Sequence, residues 1–475
     1  MALITSSIPN LINGVSQQPF ALRLATQCEE QINGDSSVTE GLRKRPGTRK
    51  VKKLVTSLNS NSLIHTINRD AVEQYQVIFD TTGVRVFDMA GTEKTVSYGS
   101  GAQAYITNSN PKANLTVLTV ADYTFVVNKT VTVASGTTRT PARTPEALVW
   151  VRTGDYKKRY GITIDGTTWE FQTSTANTSA GDYDPDTVKT DWIANALANQ
   201  IPSATYTVVR DGSVMTIRRN NNADFSIKVR DSLGDQGMVL VKGSIQRFNS
   251  LPEKAISGFL CKVIGADDSG FTDYYVQYQS SPDTTGYVWN EAAKPDELNS
   301  LDASTMPHVL IRNSDGTFTF QRATWNTRTV GDLVSDPMPS FVGRQIKDVF
   351  FHRNRLGFLT GENVVLSADG EFFRFFRESV VQVLDTDPID IAISHTKVSI
   401  LNHAVSFSDG LLLFAGQTQF QIGKPELLTP KTISVQPLTE YEYNSDVEPV
   451  AAGNNIYFLQ KRGSYSAIRE LYVDQ

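Results

Sequence analysis

The chain lacks most of what small-molecule chemistry and membrane insertion require. Among 475 residues there are only two cysteines, Cys28 and Cys261, far apart in sequence. A disulfide framework or a zinc site needs more such residues at short spacing. This scarcity points to folding in a reducing cytoplasm. The five histidines (His65, His308, His352, His395 and His403) show no ligand spacing. There is no G-x-S-x-G elbow, no G-x-x-x-x-G-K-[ST] phosphate loop and no H-E-x-x-H helix. No run approaches the roughly 18 apolar residues of a membrane helix. The first twenty residues have no basic start and are interrupted by Pro9, Asn13 and Gly14, so a secretory signal is not expected. The net charge of −5 gives no general excess of Lys and Arg for gripping phosphates. No enzyme activity, cofactor or metal is expected from these residues.

What the chain has is β-strand pattern. Residues 345–394 contain the apolar runs Val349-Phe350-Phe351, Leu356-Gly357-Phe358-Leu359 and Val364-Val365-Leu366, separated by His352-Arg353-Asn354-Arg355 and Gly361-Glu362-Asn363. Short β-forming runs between polar turns describe a meander. Similar runs recur. Tyr75-Gln76-Val77-Ile78-Phe79 precedes Tyr123-Thr124-Phe125-Val126-Val127 by about 48 residues. Leu411-Leu412-Leu413-Phe414 follows Leu356 by about 55, and Ile456-Tyr457-Phe458-Leu459 follows by about 45 more. Five such units suit blades that cover one another's faces; evenly spaced hairpins of a β-sandwich are the alternative.

The reading is therefore a mainly β protein: an interrupted β-propeller-like domain with an inserted small α+β domain and a second β-rich insert. The expected divisions are an N-terminal arm or platform segment (1–55), first blades (56–147), the α+β insert (148–245), the second insert (246–335) and remaining blades (336–475). The arm carries a short helix candidate at 24–32. In the α+β insert, a hairpin turns at Asp165-Gly166. A helix is expected over 186–200, with Asp184 as cap and Pro185 at its start. Val188, Trp192, Ile193, Ala196 and Leu197 form its apolar face.

Three clusters invite a functional reading. Arg43, Lys44, Arg45, Arg49 and Lys50, with Lys52 and Lys53, form a basic patch, either a guarded strand edge or a contact for an acidic partner or passing polyanion. Asp182, Asp184 and Asp186 resemble the start of a calcium loop. Thr187 and Ile193 stand where an EF-hand needs Gly and Glu, so a helix N-terminus is the simpler account. Asp385, Asp387 and Asp390 could be a hydrolytic carboxylate pair, but Asp around Pro388 is ordinary turn chemistry.

The sequence Ile8-Pro9-Asn10-Leu11-Ile12-Asn13-Gly14-Val15-Ser16-Gln17-Gln18-Pro19, then Leu22-Arg23-Leu24, Gln27-Cys28-Glu29-Glu30-Gln31, Glu40-Gly41-Leu42 and Lys44-Arg45-Pro46, resembles tail tubular protein B. These are the nozzle proteins of short-tailed, autographivirus-type podophages. The likeness returns at Thr305-Met306-Pro307-His308, Trp325, Arg328, Gly331-Asp332, Pro339-Ser340-Phe341, Arg353-Asn354-Arg355-Leu356-Gly357-Phe358 and Asp387-Pro388-Ile389-Asp390. It implies a structural virion protein at the distal part of the tail, assembled in the host cytoplasm as a homohexamer. The implied partners are an adaptor ring (tail tubular protein A), tail fibre protein and double-stranded DNA passing without sequence specificity. Family members are usually longer than this chain of 475 residues, which suits a fragment whose distal tip is encoded farther on. The alternative is a tail-associated protein that binds or hydrolyses host glycans, motivated by the Asp385/Asp387/Asp390 cluster and by Trp289 as an exposed aromatic.

Overall fold

The computed structural model describes residues 10–265, 273–280, 286–407, 410–423, 426–453 and 455–472. It is mainly β, divided among many small sheets. Two units separate: residues 1–57 with 89–92, and residues 58–88 with 93–475.

In the larger unit, five antiparallel-rich sheets follow one another. The first holds Leu63–Asn68, Gln74–Phe79, Val84–Asp88 and Glu93–Lys94. The third holds Asp348–His352, Arg355–Thr360, Asn363–Leu366 and Ile389–Ala392. The fourth holds Leu401–Phe407, Gly410–Ala415, Gln419–Ile422 and Val435–Thr439. The fifth holds Val450–Ala452, Asn455–Arg462 and Tyr465–Tyr472. The second sheet is built from both sides of the insertion. Tyr123–Asn128 pairs with His308–Arg312, and Val96–Tyr98 runs parallel to Phe318–Arg322. The reading of 246–335 as insert did not anticipate that its last two strands join the sheet of residues 96–128. That pairing spans more than 180 residues and leaves no local mark in sequence.

Period-2 alternation explains why these strands are so apolar. Phe125, Val127 and Val309 of the second sheet meet Val349, Leu356, Phe358 and Val365 of the third. The intervening residues Phe350, Leu359, Val364 and Leu366 point the other way, onto Leu411, Leu413, Phe420 and Ile422 of the fourth. Leu412 and Phe414 then meet Ile456 and Phe458 of the fifth. Val77, Phe79 and Val86 of the first sheet pack with Val126, Leu310, Phe318 and Phe320 of the second. A strand covered on both faces loses its polar alternation, and every residue of Arg355–Thr360 is buried. Burying an apolar side chain such as Leu356, Phe358 or Leu359 is worth about 1.5–3 kcal/mol. Among the described residues no closed barrel or propeller is evident.

The α+β insert has its own core. Glu146–Val151, Tyr206–Asp211, Val214–Arg219 and Met238–Val241 form one sheet, and Arg159–Ile164, Thr167–Gln172 and Ile227–Asp231 another. The helical stretch differs from expectation. A 3-10 turn, Pro185–Val188, capped by the Asp184 side chain, precedes an α-helix limited to Thr190–Ala198. Ile193, Ala194 and Leu197 are buried, while Trp192 is 45% exposed and Val188 and Ala196 are not core. The break at Lys189 interrupts the helix, so a periodicity counted from 186 places Ile193 and Leu197 in the core correctly but misassigns Val188, Trp192 and Ala196. The next sheet, Ser244–Ile245, Leu260–Val263, Tyr274–Ser280 and Tyr287–Ala292, packs Cys261, Val263, Val276 and Tyr278 against Leu148, Val214 and Val241.

The smaller unit has one hairpin, Gly34–Ser37 with Gly41–Lys44. No helix forms over 24–32; the residues there are irregular, with turns and bends around a parallel bridge from Cys28 to Val15. Its described apolar side chains are largely exposed, including Phe20, Leu22, Ile32, Val38 and Val51.

Candidate functional site

The third sheet shows what its conspicuous motif does. Arg353 and Asn354 both take left-handed backbone angles, with φ of 46° and 60°. Two such residues make the tight turn that matches the twist of a hairpin, here between Asp348–His352 and Arg355–Thr360. Gly357 lies opposite Phe350 in register, and a Cβ there would overlap the Phe350 ring. Arg355 is 1% exposed. Its guanidinium donates to the carbonyls of Ser367 (2.8 Å), Asp387 (2.7 Å) and Asp385 (2.8 Å), with longer contacts to Thr386 and Leu428. A planar fork of five N–H groups suits several carbonyls at once. Burial lowers its pKa from the ordinary arginine value.

This clamp settles the Asp385/Asp387/Asp390 cluster. The Asp387 carboxylate accepts the backbone N–H groups of Leu384 (2.9 Å) and Glu378 (3.2 Å) and is fully buried. Asp390 accepts the Ser340 N–H and hydroxyl, each at 2.7 Å, and the Asn363 amide at 3.3 Å. Asp385 contributes its carbonyl to Arg355. The Asp387 carboxylate fixes the turn, Asp390 ties the strand that follows to Ser340, and Ile389–Ala392 is the outer strand of the same sheet rather than only a connection. Trp289 is half-buried, not an exposed platform. Its indole N–H donates to the Pro252 carbonyl at 2.8 Å, and its ring meets Phe259 and Tyr278 edge-on.

The calcium-like acids are likewise absorbed. Asp184 caps the 3-10 turn and Asp186 pairs with Lys189 at 2.6 Å. Among the described residues no cluster of His, Cys, Asp or Glu could hold a metal. Two of the histidines serve packing. His308 stacks on Tyr105 at 4.0 Å, and burial pushes it down to about 4. His65 meets the Thr119 hydroxyl at 2.7 Å and is also pushed down to about 4 by burial.

In the basic patch, Arg43 pairs with Asp35 and Glu40, whose hydrogen bonds raise its pKa. Lys44, Arg45, Arg49 and Lys50 are exposed, and among the described residues none of the four makes an ion pair. A cavity of about 1040 Å³ is lined by polar side chains including Arg143, Arg218, Gln277, Gln279 and Asn290.

These are the marks of a scaffold whose polar groups are used for construction. The family model for the bacteriophage nozzle protein matches residues 1–475. The chain belongs to the bacteriophage nozzle protein family. The nozzle chain is 37% identical over 486 residues to tail tubular protein gp12 of Escherichia phage T7, covering all of this chain and 60% of that protein. It thus spans about 60% of its relative's length. Among solved structures, the AfRom2 CNH domain shares 8% identity, covers 88% of the nozzle chain and 96% of its own, and has a TM-score of 0.21. A chain of the yeast heterotrimeric Nup82-Nup159-Nup116 nucleoporin complex shares 6%, covers 88% and 98%, and scores 0.20. Likenesses that low carry no fold argument. The phage T7 relative is named a tail tubular protein. The glycan-hydrolysing alternative has no support from the family or from the carboxylates.

Proposed function

We propose that this nozzle chain is the β scaffold of a short phage tail, assembling as a homohexamer in the host cytoplasm and working at the distal part of the virion tail. The observation that carries this is the family match along the whole chain. The five sheets, stacked in chain order with both faces of the inner ones buried, support their reading as successive propeller-like blades. A rigid framework with inserted domains supplies docking surfaces, here assigned to the adaptor ring and the tail fibre.

The arm is the proposed contact surface. Residues 1–57 hold eight basic and four acidic side chains, while the remaining chain holds 37 basic and 46 acidic. The arm is thus +4 and the rest −9. Arg43, Lys44, Arg45, Arg49 and Lys50, beside exposed Val38, Leu42 and Val51, suit an acidic partner surface. The acidic remainder suits a conduit for double-stranded DNA, because each neutralised phosphate would add salt-dependent affinity.

Electron microscopy of the purified protein with its adaptor ring tests the assembly. Rings bound to the adaptor are expected; a stable monomer that ignores the adaptor would overturn the proposal. Charge reversal at Lys44, Arg45, Arg49 and Lys50 should leave the melting temperature unchanged and weaken ring or adaptor binding. Unaltered binding would remove the patch from the interface.

A further inference from the structure

The junction of the second, third and fourth sheets encloses a polar group that no scaffold role yet explains. Asp348, on the third sheet, has a side chain only 4% exposed. Its Oδ1 accepts the Thr116 hydroxyl of the second sheet at 3.2 Å, and its Oδ2 accepts the Ala404 N–H of the fourth at 2.9 Å. His403, on the fourth sheet, is 13% exposed. Its Nε2 lies 3.1 Å from the Ser445 carbonyl. A carbonyl can only accept, so Nε2 carries the hydrogen. Nδ1 has no hydrogen-bond partner and lies 3.8 Å from Asp348 Oδ2. In a neutral ring with a charged carboxylate, two acceptors would stand side by side in a buried site. One proton between them removes that conflict.

We propose that Asp348 and His403 share a single proton, and that this proton fastens residues 443–448, the linker to the fifth sheet, to the junction of the preceding three. The other groups around the pair are Lys129 after the second sheet, Lys347 just before the first strand of the third, and Tyr443, Asp446 and Glu448 on the linker. Tyr443 donates to the Val447 carbonyl at 2.8 Å, and its ring lies edge-on to His403. A cavity of about 310 Å³, lined by Lys129, Lys347, His403 and Ser445, opens beside His403. Burial raises Asp348 to about 7 and lowers His403, which places the proton on the carboxyl group. The unfolded chain holds none on either side chain above about pH 6.5. The folded pair therefore contributes stability below that pH that is lost as the pH rises through its own release.

Hydrogen–deuterium exchange of the full chain, corrected for intrinsic rates, tests this over pH 6–9. In the wild type, opening of peptides covering 440–472 should increase as the pH rises from about 6.5 through the pair's own release, by no more than tenfold per pH unit, the limit for one proton, and then level off. In Asp348→Asn, which has no proton to release at this position, opening of the same peptides should not change between pH 7 and 9. Wild-type protection that is flat from pH 6 to 9 would overturn the proposal, even if the variant fails to fold. So would a rise in Asp348→Asn equal to that of wild type, or exchange at the His403 ring carbon titrating near 6.5.

Discussion

Replacing Arg355 by Met removes a buried cation of similar length and leaves its carbonyl partners behind. Those of Ser367, Asp385 and Asp387 each lose a hydrogen bond of 2.7–2.8 Å. A buried acceptor left unsatisfied costs about 1–3 kcal/mol. The methionine recovers some apolar contact, and loss of the cation's own desolvation cost offsets part of the damage. The expected net loss is about 3–5 kcal/mol, comparable to breaking other buried charge networks. It should appear in urea unfolding as a lower midpoint with an unchanged slope. Limited proteolysis should cut first between Glu378 and Asp390, because the Asp387 cap depends on the turn that Arg355 holds. Arg355→Lys keeps the charge but cannot span three carbonyls, and should fall between wild type and Met. A loss below about 1 kcal/mol for Arg355→Met, with the 378–390 segment still protected, would refute the clamp.

Gly357→Ala should destabilise by about 1–3 kcal/mol through overpacking against Phe350, and a double mutant with Phe350→Leu should recover part of this by thermal unfolding. His308 is buried neutral and pushed down to about 4, while the unfolded chain protonates near 6.5. Stability should therefore be lost as pH falls from 6.5 to 4, by up to about 3 kcal/mol from this residue, and His308→Phe should flatten that part of the pH–stability curve. Ile193→Ala should cost about 2–4 kcal/mol, whereas Trp192→Ala should cost under about 0.5 kcal/mol, because only the first side chain lies in the core of the insert; calorimetry of both variants checks the helix phase.

Local pattern was a good guide to strands and turns. Leu356, Phe358 and their alternating neighbours announce a strand covered on both faces, and Asn354 announces a tight turn; these preferences reside in each residue's own backbone and side chain. The carboxylates around Pro388 were legible as a turn for the same reason. The nozzle resemblance was carried by ordered motifs such as Arg353-Asn354-Arg355-Leu356-Gly357-Phe358, which the family match over the whole chain supports. Tertiary structure decided what depends on distant partners. It brought His308–Arg312 beside Tyr123–Asn128, turned Trp192 to solvent, half-buried Trp289 against Pro252, and set Asp348 beside His403. None of these follows from a residue's own preferences, because each is fixed by which surface the chain folds back to bury.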